Sequence, residues 1–218
     1  MAETLTERKP AFTTGGGGLP PSMVDEFAHG NGDRLPPGTA RRVYHTGMWL
    51  ALIAISMFFI AFTSAYIVRS GLGDDWQALS LPPLLWLNTL ILLASSYTLD
   101  ATRRALLGGQ REACNRWLMA TVILGAGFLF GQYRVWQDLA AAGIFLITNP
   151  SSSFFYLLTA SHALHLLGGL AALGYISIEA LRFRLGPAKR TLVEVTAIYW
   201  HFMDGLWIYI MLLLWLWR

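Results

Sequence analysis

Cysteine is almost absent from this chain, because Cys114 is the only one in 218 residues. A single cysteine excludes an intrachain disulfide and a cluster of thiolate ligands for a metal. Charged residues are also scarce: they make up 13% of the sequence, whereas apolar residues make up 55%. Soluble domains usually carry about 25% charged residues. The composition therefore excludes an ordinary soluble globular protein.

Long apolar stretches take the place of the missing charge. Five stretches are long enough to cross a hydrocarbon core of about 30 Å: Thr46–Val68, Gln77–Leu99, Trp117–Tyr133, Ser151–Ala180 and Val195–Trp217. The third stretch is the shortest, and its helix is expected to continue past Arg134. These stretches predict an all-α integral membrane bundle of five transmembrane helices, in a domain of residues 44–218.

The basic residues predict the orientation of the bundle. Of the 16 lysines and arginines, 13 fall in the amino-terminal segment and in the second and fourth connections, and only Arg69, Arg134 and Arg218 fall elsewhere. The positive-inside rule then predicts a cytoplasmic amino terminus and a periplasmic carboxyl terminus. The net charge of +3 is explained by this topology and indicates no nucleic-acid partner. Residues 1–43 are polar and rich in glycine and proline, which predicts a flexible cytoplasmic tail.

Ionisable residues inside the last two stretches are the strongest indication of a site, since such residues are costly in hydrocarbon. At about 100° per residue, they form one stripe on each helix: His162, His165 and Glu179 on the fourth, and Glu194, His201 and Asp204 on the fifth. The two helices are joined by a short connection, so the stripes are predicted to meet as an interhelical polar network. In this network Asp204 would pair with imidazole donors. Asn88 and Thr89 are expected to form hydrogen bonds across helices.

Three functions remain open from these residues alone. The histidines could ligate a haem between facing helices, as in a membrane cytochrome. The stripes could instead be a proton or ion path, as in a proton-coupled transporter, or they could only hold the helices together. A metal site at His162 and His165 is a weaker hypothesis, because no third ligand stands obviously beside them. Arg103, Arg104 and Arg134 are possible contacts for lipid headgroups, although topology or snorkelling to water also explains them.

The run Tyr199–Trp207, YWHFMDGLW, strongly resembles the last helix of subunit III of the haem–copper oxidases, typically written YWHFVDVVW. Four further stretches resemble earlier helices of that family in the same order: Gly47–Leu50 with Met57–Phe59, Pro82–Pro83 with Leu87–Thr89 and Ser95–Ser96, Trp117–Thr121 with Gly131–Gln132, and Phe155–Thr159 with His162–His165. The similarity runs from about Gly47 to Trp217. The two histidine motifs, in order and in the expected helices, are specific together.

This resemblance implies both fold and role. Longer family members have seven helices, and this chain resembles the shorter bacterial form with five. It implies a non-catalytic chain that binds no haem or copper itself and packs chiefly on subunit I, with subunit II and other small subunits nearby. The haem and copper would lie in those partners. It further implies bound phospholipid, support of proton uptake during aerobic respiration, and a location in the bacterial inner membrane.

Two departures qualify the resemblance. Ile55 and Val135 stand where the family often has acidic residues, so the chain lacks the carboxylates that a proton relay of its own would use there. Within the family, a subunit III of a quinol oxidase and an accessory subunit of nitric oxide reductase are the alternatives to a cytochrome c oxidase subunit.

Overall fold

Five long helices make up the computed structural model of the protein. It describes residues 39–72, 76, 82–182 and 187–216, with side chains from 41 in the first helix and from 191 in the last. The helices are α1 (Thr39–Leu72), α2 (Leu84–Leu107), α3 (Arg111–Ala141), α4 (Pro150–Leu181) and α5 (Pro187–Leu216). Each is long and apolar enough to cross a membrane, and no strand occurs within these ranges. The predicted all-α class with five membrane-spanning helices is confirmed.

The helix limits differ in places from the predicted stretches. α1 begins at Thr39, ahead of the domain start predicted at residue 44, and the rest of the predicted tail lies outside the described residues. α2 begins at Leu84 and continues to Leu107, because Pro82 and Pro83 restrict the backbone before them. α3 runs to Ala141, so its predicted extension past Arg134 is confirmed.

The start of α4 is fixed by its own sequence. The Asn149 side chain accepts a hydrogen bond from the backbone N–H of Ser152 at 2.8 Å, and the Ser152 hydroxyl receives one from the Asn149 backbone in return. Pro150 occupies the first helical position, where its missing N–H costs nothing. This capping box satisfies two groups that would otherwise be unpaired at the helix end. The register of His162 and His165 along α4 follows from it.

The helices pack in a definite order. α2 packs along α3, α3 packs on α4, and α4 packs on α5. α5 also packs on α1 and α2. α1 touches only α4 and α5 among the described helices and is the least buried of the five, whereas α5 is the most buried. We call the end of this bundle where α1 starts and α2 stops the basic end, since it carries Arg41, Arg42, Arg103, Arg104, Arg111 and Arg116.

Candidate functional site

Trp200 is the centre of helix packing. Its ring is fully buried, and glycines on two helices make room for it. A Cβ atom at Gly125 of α3 would lie 2.8 Å from the ring, and one at Gly169 of α4 would lie 3.3 Å from it. Since such approaches are closer than ordinary carbon contacts of about 3.5–4.0 Å, only glycine fits at Gly125 without a shift of the neighbouring groups. Small residues of this kind let membrane helices approach closely.

Hydrogen bonds from α5 run mainly to α2. The indole N–H of Trp200 donates to the Ser95 hydroxyl at 3.0 Å, and that of Trp207 donates to the Thr89 hydroxyl at 3.0 Å. The expectation that Thr89 bonds across helices is therefore confirmed. Tyr199 donates to the backbone carbonyl of His165 on α4 at 2.8 Å. These bonds tie α5 to both α2 and α4.

His201 is held by α2. Its Nδ1 lies 2.5 Å from the Ser96 hydroxyl, and its Nε2 lies 3.2 Å from Asp100 Oδ1. A carboxylate only accepts, so Nε2 carries the proton in this pair, and in the neutral ring Nδ1 accepts from Ser96. Arg103 also reaches Asp100 Oδ1, at 3.4 Å. The side chains of His201 and Asp100 remain 34% and 39% exposed, so this group borders the surface near the basic end.

Glu194 makes its contacts with α1. Arg41 donates to its Oε2 at 3.2 Å, and His45 Nε2 lies 3.9 Å from the same oxygen. Glu194 and Arg103 also line one small depression between α2 and α5. Acidic and basic side chains of three helices therefore collect at the basic end, and we call Arg41, His45, Asp100, Arg103, Glu194 and His201 the ionisable cluster.

Asp204 does not pair with an imidazole, so that prediction is wrong. The residue is only 4% exposed and its carboxyl group lies beside Ser96, but neither carboxyl oxygen makes a hydrogen bond of good geometry to a described residue. The imidazole of His201, one turn away, points instead to Asp100. The physical reason is that His201 and Asp204 face α2, where hydroxyl groups and Asp100 compete for the ring.

His162 and His165 point to different neighbours. His162 is fully buried between Phe128 and Trp207, whose ring centroids lie 6.0 and 5.0 Å from the imidazole. The Nδ1–H of His165 donates to the Ser161 carbonyl at 2.7 Å, and its ring packs against Phe58 and Phe59 of α1. Within the part of the chain that the structure describes, no group of three His, Cys, Asp or Glu side chains is arranged to hold a metal.

The other predicted site residues lie apart. Glu179 is buried near the end of α4. Arg104 and Arg134 are exposed on α2 and α3, at the basic end and toward the opposite end respectively. The predicted network is thus spread over separate environments. Asp100 is not among the residues predicted from the sequence, although its position at the end of an apolar stretch, four residues after Ser96, is a signal for it.

Two buried amides are further polar groups of the interior: Gln132 is not named among the predicted polar contacts, and the bond across helices expected for Asn88 is not formed to a described residue. Asn88 of α2 and Gln132 of α3 are each about 1% exposed, and their side-chain nitrogen and oxygen atoms have no hydrogen-bond partner among the described residues. Both ring nitrogens of His162 are likewise buried without a hydrogen-bond partner among the described residues. Leaving one such group unpaired in a protein interior costs about 1–3 kcal/mol, so these three residues need partners that the described residues do not supply.

Five apolar helices with a polar, tightly packed interior define a polytopic α-helical membrane protein. Comparison with known proteins identifies the family: the family model described as "Cytochrome c oxidase subunit III" matches residues 39–218. The chain belongs to that family, as the sequence motifs predicted.

Relatives of known name agree with this assignment. The chain is 32% identical over 171 residues to the "Probable cytochrome c oxidase subunit 3" of Mycobacterium bovis, which covers 75% of this chain and 81% of that protein. It is 32% identical over 174 residues to the "Cytochrome c oxidase subunit 3" of Thermostichus vulcanus, covering 78% and 85%. It is 30% identical over 177 residues to that of Synechocystis, covering 78% and 74%.

Proposed function

We propose that this chain is the non-redox subunit III of a bacterial respiratory cytochrome c oxidase, embedded in the inner membrane with its basic end toward the cytoplasm. The observation that carries the proposal is the family match over residues 39–218, which includes all five helices. In this role the chain binds to subunit I, with subunit II and the small subunits as further neighbours. Those partners hold the haem and copper and carry out oxygen reduction.

The first contribution is mechanical support of subunit I. Polar side chains of the bundle are largely directed inward or to its ends, while the outer surface of α1 presents large apolar side chains such as Trp49, Leu50 and Met57. Two apolar surfaces in lipid gain no hydrophobic free energy when they associate, so contact with subunit I depends on close packing of side chains. Trp200 and its glycines make the bundle a stiff body for that contact.

The second contribution is lipid binding along the seam between α1 and α4. One open depression of about 380 Å³ is lined by Ala54, Ile55, Phe58, Ser161, Leu164 and His165. A second of about 750 Å³ lies farther along the seam, where α1 ends and α4 begins, and Arg69 is among its lining residues. From residue 54 to residue 72 a helix rises about 27 Å, which suits an acyl chain with its headgroup. Arg104 and Arg134 provide exposed cations for further headgroups.

The third contribution is support of proton uptake. The positions of Ile55 and Val135 lack the acids of other family members; Ile55 lines the α1–α4 seam, and Val135 is fully buried. The ionisable cluster offers carboxylates and imidazoles elsewhere, partly exposed at the predicted cytoplasmic end. Carboxylates grouped at a membrane surface attract cations, protons included, and so raise the local proton concentration. The cluster thus supplies protons to the pumping partner without a relay across this chain.

Affinity purification through a tag on this chain tests the assignment. A haem–copper subunit I should co-purify, and the complex should oxidise reduced cytochrome c. Oxidation of quinol alone would favour a quinol oxidase, and nitric oxide reduction would favour that accessory role. Absence of any haem–copper partner would refute the proposal.

The ionisable cluster is tested in the same complex. The double variant Asp100→Asn, Glu194→Gln should slow proton uptake at high pH, where protons are scarce. It should also reduce the number of turnovers that the oxidase completes before it is inactivated. Glu112→Gln removes an exposed acid of α3 outside the cluster and is the matched control. Equal rates of proton uptake in the double variant and the control would show that the cluster does not support proton uptake.

A further inference from the structure

A polar layer lies inside the bundle, separate from the ionisable cluster. It consists of Asn88 on α2, Gln132 on α3 and His162 on α4. Their six side-chain nitrogen and oxygen atoms are buried and have no hydrogen-bond partner among the residues with described positions. The function proposed above uses none of them.

Packing places these three side chains in one layer. The Asn88 amide lies directly against Gly131, the residue before Gln132, so closely that a Cβ atom at Gly131 would overlap it. Phe128 is one helical turn before Gln132 and therefore shares its face of α3. The Phe128 ring lies 6.0 Å from the imidazole of His162 and 4.9 Å from the ring of Trp207.

We propose that this layer, Asn88, Gln132 and His162, binds ordered water inside the membrane-spanning bundle. Two amides and an imidazole combine donors with acceptors, which fits a small neutral ligand that does both. Lipid tails offer no hydrogen bonds to groups at this depth. Buried polar groups without protein partners are typically satisfied by internal water, which makes about three hydrogen bonds. The aromatic rings of Phe128 and Trp207 line the site.

Two tryptophans of α5 provide a matched pair for the test. Trp207 and Trp200 are both fully buried, and each donates its indole N–H to a hydroxyl group of α2. Only Trp207 contacts His162. They differ, then, mainly in their distance from the polar layer.

X-ray radiolysis of the full-length chain, extracted in mild detergent with whatever partners it retains, distinguishes them. Hydroxyl radicals formed from bound water oxidise the side chains next to it, and mass spectrometry locates the oxidation. Trp207 should be oxidised several-fold faster than Trp200. Gln132→Met, which keeps an unbranched side chain of similar size without its amide, should bring the Trp207 rate down toward that of Trp200. Gln137→Met, an exposed position of α3, should leave it unchanged.

Equal oxidation of the two tryptophans in the unmodified chain would overturn the proposal. The amides and the imidazole would then pair directly with one another in a dry interior. This outcome does not depend on the assignment to an oxidase, because the measurement follows water in the chain and not respiration. If Gln132→Met fails to fold, the comparison of Trp207 with Trp200 still decides.

Discussion

A methyl group added at Gly169 meets aromatic rings that cannot move independently of α5. The new Cβ would lie 2.9 Å from Tyr199 Cε1 and 3.3 Å from Trp200 Cε3, whereas carbon atoms prefer about 3.5–4.0 Å. Either the rings leave their present positions or α4 and α5 move apart. Overpacking of this kind typically costs about 1–3 kcal/mol.

Gly168 is the control for this substitution. It precedes Gly169 on the same helix, but a Cβ atom there has no heavy atom within 4 Å. Replacing glycine by alanine inside a helix otherwise gains about 0.5–1 kcal/mol, and this gain cancels between the two positions. Gly169→Ala should therefore have a free energy of unfolding lower by about 1–3 kcal/mol than Gly168→Ala.

The two variants are compared by titrating the full-length chain in micelles with sodium dodecyl sulfate and following helical circular dichroism. The difference in unfolding free energy is read from the two curves at equal slope. Coincident curves would refute the reasoning, because they would mean that α4 and α5 do not approach closely at Trp200.

Three further substitutions test other contacts. Asn149→Ala removes the cap of α4 and should cost about 1 kcal/mol in the same titration, whereas Asn149→Asp, which keeps an acceptor oxygen, should cost much less; equal losses would contradict the capping role. Glu194→Gln breaks an ion pair with Arg41 that is largely exposed, so the loss should stay below about 1 kcal/mol and vanish at high salt; a larger loss that persists in salt would mean a shielded contact. Asp204→Leu should leave the haem absorption bands of the purified complex unchanged, since we assign the haem to partner subunits, and a shifted band would argue against a non-redox role.

Membrane-spanning helices are predictable here because each one corresponds to a continuous apolar stretch of the sequence. The limits of α2 were less predictable. Its apolar stretch ends at Leu99, but the helix continues through Asp100 and Arg103 to Leu107. A charged residue marks where the chain leaves the hydrocarbon core, but it does not end a helix. The stop comes with Gly108 and Gly109, where the backbone of Gly109 has a φ of 70° that favours glycine.

The pairing of polar residues was harder to predict. Residue spacing determines which side chains share a face of α5, and His201 and Asp204 do lie one turn apart. Spacing does not determine which helix covers that face. The short connection between α4 and α5 suggested α4, whereas Ser96 and Asp100 of α2 receive His201. Contacts between helices distant in sequence depend on the whole packing arrangement, so residue spacing along one helix does not predict its partner helix.

The central place of α5 has a consequence for how the bundle is made. This helix follows the other four in chain order, so the ribosome releases it after them. Its tryptophans nevertheless fill the space at Gly125 and bond to the hydroxyls of Ser95 and Thr89. A nascent chain halted before α5 leaves those groups facing lipid. Until α5 has inserted, the bundle therefore lacks both these hydrogen bonds and the close packing around Trp200.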